Sequence, residues 1–85
     1  MLVRVLFFGQ LKEIVGRGED RIEVADGARL EDVFENYGRL YPRLATFRQS
    51  VVASVNQSFA DWGSTLAAGD EVAFLPPVSG GAECK

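Results

Sequence analysis

Few side chains in this 85-residue sequence could do chemistry. There is no histidine and only one cysteine, Cys84, so the usual zinc, iron-sulfur and cysteine-histidine sites lack their ligands or base. An internal disulfide is ruled out for the same reason. Cys84 has neither a helix N-terminus nor a histidine to lower its pKa, which makes it a plain thiol rather than a relay. Glu13 and Glu71 have no partner carboxylate at a defined spacing and read as solvated surface charges. The sequence thus offers no catalytic machinery of its own. What stands out is a stretch of backbone, Pro76-Pro77-Val78-Ser79-Gly80-Gly81. The prolines fix φ and favour a stiff, extended exit, while two residues without side chains can lie close to another protein's backbone. Such an arm suits delivery into a narrow channel.

The elements before the arm must hold it out. A chain of this length is one small domain, burying only about 60 to 65% of its unfolded surface, and has room for a single sheet with one or two helices. With 47% hydrophobic residues, nine Gly and three Pro, the composition is that of an ordinary globular protein. A net charge of −3, with nine Lys and Arg spread along the chain, argues against nucleic acid and suits a basic partner surface. No apolar run is long enough to span a bilayer, and the start lacks a signal-peptide pattern. The expectation is a cytoplasmic protein without membrane contact.

Leu2 to Phe8 predicts a strand with Val3, Val5 and Phe7 on one face and Arg4, Leu6 and Phe8 on the other. A short helix over Gln10 to Val15, stopped by Gly16, leads to a second strand over Arg21 to Val24, antiparallel to the first. Leu30, Val33, Phe34 and Tyr37 recur at i, i+3, i+4 and i+7 and define the main helix. Asp26 is its candidate cap, and Gly38 or Tyr41-Pro42 its end. Leu44 to Phe47 reads as one further turn, and Val51 to Val55 as a strand closed by the polar turn Asn56-Gln57-Ser58. Gly69-Asp70 introduces the last strand, Glu71 to Leu75. On alternation, Val72 and Phe74 join the core and Glu71, Ala73 and Leu75 take the open face.

Val5-Leu-Phe-Phe-Gly-Gln10, Ala53-Ser-Val-Asn-Gln57 and the run from Leu66 through Phe74-Leu75-Pro76-Pro77 to Gly81 together resemble one family. Their order and spacing are similar to those of the small, sulfur-carrying subunit of molybdopterin synthase, over nearly the whole of residues 1–81. The resemblance implies an α+β, ubiquitin-like β-grasp fold, a mixed sheet of four to five strands packed on one main helix. It divides the chain into a body over 1–75, an extended arm over 76–81 and a tail over 82–85. First and last strands should lie parallel, bringing Phe8 and Leu75 together on the open face with Phe59. The partner-binding set is then Phe8, Phe59, Leu75, Pro76, Pro77, Val78 and Ser79.

The chemistry that the resemblance implies lies at Gly81, with Gly80 beside it. A ubiquitin-activating-type, ATP-dependent enzyme adenylates the glycine carboxylate, and sulfur replaces AMP. The thiocarboxylate then enters the large synthase subunit and its sulfur passes to a pterin precursor. The chain is a cosubstrate with no cofactor, and its partners are the large subunit and the adenylating enzyme. One departure matters: in the family the second glycine is terminal, whereas Ala82-Glu83-Cys84-Lys85 follow here. That tail keeps open a ubiquitin-like modifier processed after Gly81, beside sulfur carriers for thiamine or transfer-RNA thiolation.

Overall fold

The computed structural model describes residues 1–76. The elements run β1 (Leu2–Phe7), α1 (Gly9–Val15), β2 (Glu19–Glu23), α2 (Leu30–Leu40), α3 (Pro42–Ala45), β3 (Val52–Val55), β4 (Ser58–Phe59) and β5 (Glu71–Leu75). They form one five-stranded sheet in the order β2-β1-β5-β3-β4. β1 and β5, the two ends of the body, are the central parallel pair, and every other pairing is antiparallel. This is the ubiquitin-like β-grasp arrangement, with the helices against one face of the sheet.

Strand alternation decides what that face contains. Val3, Val5 and Phe7 of β1 and Val72 and Phe74 of β5 are buried essentially completely, as are Leu30 and Val33 of α2. The four apolar positions of α2 recognised by their spacing are its four buried residues. Aromatic rings tie the layers together. Phe34 meets Phe74 edge-on at 5.1 Å and Trp62 at 5.3 Å, while Phe7 meets Tyr37 edge-on at 4.9 Å. Each such pair adds about 0.5–1.5 kcal/mol beyond its buried area.

Several boundaries differ from those expected. Asp26 does not cap α2, which starts four residues later. Its first free N–H groups are met instead by the loop before β5: Leu30 donates to the Ser64 carbonyl at 3.0 Å and Glu31 to the Trp62 carbonyl at 2.9 Å. The Asp32 carboxylate accepts the Arg29 N–H at 2.9 Å, closing the turn from within. Gly38 stays inside the helix, where a Cβ would meet that of Ala45 at 3.4 Å, so this glycine lets α3 approach. Pro42 starts α3 rather than merely ending α2, because a first-turn proline forfeits no hydrogen bond. β2 begins two residues before Arg21, and Val51 is buried just ahead of β3.

Candidate functional site

The sheet face away from the helices is legible rung by rung. The register aligns Glu19, Leu6, Ala73, Ser54 and Phe59 straight across all five strands. On the C-terminal side of β5, Leu75 pairs with Val52, and the Phe8 N–H reaches the Phe74 carbonyl at 3.3 Å, setting Phe8 beside Leu75. Phe59 is 81% exposed, and Phe8 and Val52 are close to half exposed. One end of this face is therefore apolar and uncovered, unlike the scattered single exposures of an ordinary surface.

The opposite end is charged. Arg4 lies between Glu71 on β5 and Glu19 on β2: Nε donates to Glu19 at 2.7 Å, and a terminal nitrogen stands 3.1 Å from Glu71. The hydrogen bond to Glu19 raises the pKa of this guanidinium above its ordinary value. Arg4 and Glu19 are about half exposed and Glu71 about a quarter, so the network orients side chains rather than contributing much stability. Glu71 is thus an ion-pair member on the rim of the apolar area.

The structure brings Phe8, Leu75 and Pro76 together at one end of the two central strands. Glycine is required there by the close approach of the proline. Gly9 has φ +56°, and a Cβ on it would lie 2.8 Å from Pro76 Cγ. The arm accordingly leaves with its first ring against bare backbone. Phe59 faces the same way from β4, two strands over from β5. Pro77, Val78, Ser79, Gly80 and Gly81 lie outside the described residues.

Sequence reasoning did not single out Leu2 and Val52, which share the open face and are about half exposed. It placed Ala73 on that face correctly by alternation, yet Ala73 is only 8% exposed, and so is its neighbour Ser54. Small side chains on inner strands are overshadowed by larger neighbours, an effect invisible to a single-strand pattern. A concavity of about 370 Å³ between α2 and α3 is lined by Phe34, Glu35, Gly38, Arg39, Ala45 and Arg48, on the helix side. It holds no nucleophile. Among the described residues no group of three His, Cys, Asp or Glu side chains could hold a metal, and no helix is long and apolar enough to cross a membrane.

Comparison with known proteins gives this geometry a family. The ThiS family profile matches residues 5–81, from mid-β1 through the second glycine of the arm. The chain belongs to the ThiS family. It is 40% identical to the molybdopterin synthase sulfur carrier subunit of Escherichia coli, over 94% of this chain and 100% of that one. It is 38% identical to the subunit of the same name from Mycobacterium tuberculosis, over 93% and 96%. The fold is that of the small archaeal modifier protein 1 of Haloferax volcanii, with a TM-score of 0.80 at 27% identity over 94% and 99% of the two chains. It also matches a chain in the complex of subunits 1 and 2 of the molybdopterin-converting factor from Helicobacter pylori, with a TM-score of 0.67 at 25% identity over 94% and 99%. This ThiS family chain is a β-grasp carrier of the molybdopterin synthase type.

Proposed function

We propose that the chain carries sulfur for molybdopterin synthesis as a thiocarboxylate on Gly81, within the cytoplasm, and delivers it inside a larger synthase subunit. The observation that carries this reading is the junction of the apolar open face with the arm. Phe8 and Leu75 flank Pro76, so a protein docked on the sheet also receives whatever Pro76 leads out. The Helicobacter pylori complex, in which a chain of this fold is assembled with a second subunit, supports it.

The chain's part in the reaction is to present one carbonyl carbon. The Gly81 carboxylate attacks the α-phosphate of ATP on an activating enzyme, and pyrophosphate leaves. Hydrosulfide, or a donor equivalent to it, then displaces AMP from the acyl carbon, leaving a thiocarboxylate. Glycine suits both attacks because no side chain obstructs an approach of about 3–3.5 Å. In the synthase the terminal sulfur passes to the precursor and water restores the carboxylate. Gly80, which also lacks a side chain, suits passage through a narrow channel.

The chemistry requires Gly81 to have a free carboxylate, and a peptide bond to Ala82 removes it. Residues 82–85 are therefore trimmed by a protease before activation. The experiment is ATP-pyrophosphate exchange with the cognate activating enzyme, comparing the 85-residue chain with one truncated after Gly81. Exchange by the truncated chain alone is expected; equal exchange by both would refute the need for a terminal Gly81. The likeness to the Haloferax volcanii modifier favours one second reading, attachment of Gly81 to lysines. Conjugates in cells that retain the chain's mass on other proteins would distinguish it.

A further inference from the structure

The middle rung of the open face has an unusual profile. Leu6 stands on one side and Phe59 on the other, and between them are two small residues, Ala73 and Ser54. Leu75 and Val52 flank the same pair one rung further toward the arm, and Glu71 closes it on the other side. Neighbouring strands are about 4.8 Å apart, so two adjacent small side chains ringed by Leu6, Phe59, Leu75 and Val52 leave a shallow hollow in an otherwise bulky surface.

Ser54 at the floor of this hollow is 8% exposed. Its backbone is engaged in the ladders to β4 and β5, but among the described residues its hydroxyl has no hydrogen-bond partner. A buried hydroxyl left without a partner is costly, and native proteins rarely tolerate one without a reason. Alanine would fit the same place at no such cost. The hydroxyl has a single proton and two lone pairs, so the proton is the part with fewest ways to be satisfied.

We propose that Ser54 is a specificity-determining contact: the docked subunit projects a small group bearing a hydrogen-bond acceptor into the Ala73/Ser54 hollow, where the Ser54 hydroxyl donates to it. This rests on the reading of the open face as the docking surface for the large subunit. Leu6, Phe59, Leu75 and Val52 exclude water around the bond, the arrangement in which one polar contact at the centre of an apolar interface discriminates between partners. A partner lacking the acceptor buries the hydroxyl unsatisfied and is rejected.

The test is titration calorimetry of the cognate large subunit against the full chain and three variants, with thermal unfolding of each. Ser54→Ala should weaken binding about tenfold, the loss of one buried hydrogen bond, while its melting temperature stays equal or rises. Ala73→Leu fills the hollow from the exposed face and should weaken binding at least as much without unfolding the chain. Phe59→Asp tests the face itself and should abolish binding. Wild-type affinity for Ser54→Ala, with binding lost in Phe59→Asp, overturns the inference and leaves the docking surface standing. A lowered melting temperature in Ser54→Ala would make the hydroxyl structural and also overturn it. Unchanged binding by Phe59→Asp removes the surface, and the role of Ser54 with it.

Discussion

The side-chain amide of Asn56 donates to the Asp70 carboxylate at 3.0 Å and accepts the Glu71 N–H at 3.0 Å through its own carbonyl. Asp70 completes the link by accepting the Ala67 N–H at 2.8 Å. The turn after β3 is thereby fastened to the start of β5, the strand that leads to the arm. Asn56 also holds φ at +52°, which asparagine adopts more readily than most residues. Asn56→Ala should cost about 2 kcal/mol in urea unfolding, from lost hydrogen bonds and backbone strain. Asn56→Gly relieves only the strain and should cost less; equal losses would show that φ is not a factor.

Tyr37 donates its hydroxyl to Asp20 at 2.9 Å, joining α2 to β2. Burial, then this hydrogen bond, raises its pKa well above the ordinary 10.0. The folded state therefore keeps the phenol proton over a range where the unfolded chain releases it. The resulting stability is fully present below pH 10 and is lost as pH rises above it toward the folded pKa. Tyr37→Phe should cost about 1 kcal/mol at neutral pH and flatten the fall in stability above pH 10. A parallel alkaline decline in both proteins would contradict this origin.

Much of this was readable in advance because it depends on local periodicity. The spacing of Leu30, Val33, Phe34 and Tyr37 marked the buried stripe of α2, and alternation separated Phe7 from Phe8 and Phe74 from Leu75. What escaped depends on contacts between segments distant in sequence. The start of α2 is set by carbonyls of Trp62 and Ser64, some thirty residues away, so Asp26 looked a better cap than it is. Trp62 belongs to no periodic pattern, yet it packs on Phe34 and Phe74. The low exposure of Ser54 and Ala73 comes from neighbours on other strands, which no single-strand pattern contains.

Trp62 lies parallel to Phe74 at 6.0 Å, and the Arg48 guanidinium covers its ring at 3.9 Å. Trp62→Ala should destabilise by about 2–3 kcal/mol, below the range for a fully buried tryptophan because the ring is only partly covered. Arg48→Ala, which removes a half-buried cation–π contact, should cost about 0.5–1 kcal/mol. Chemical denaturation of both variants checks the order; a larger loss for Arg48→Ala would reverse the assignment.

Phe8 and Leu75 flank the root of the arm on the open face, and either one changed to aspartate puts a charge in the docking surface. Each change should weaken capture of the large subunit by about thirtyfold or more, a loss of about 2 kcal/mol, with the circular dichroism unchanged. Undiminished binding by both folded variants would place the interface elsewhere.

The central claim is that sulfur travels on Gly81, and the intact mass of the protein taken from its own cells during active molybdopterin synthesis tests it most directly. The expected result is a chain ending at Gly81, part of it heavier by the replacement of one oxygen with sulfur. A pool that ends wholly beyond Gly81, with no sulfur-bearing form while synthesis proceeds, would contradict it.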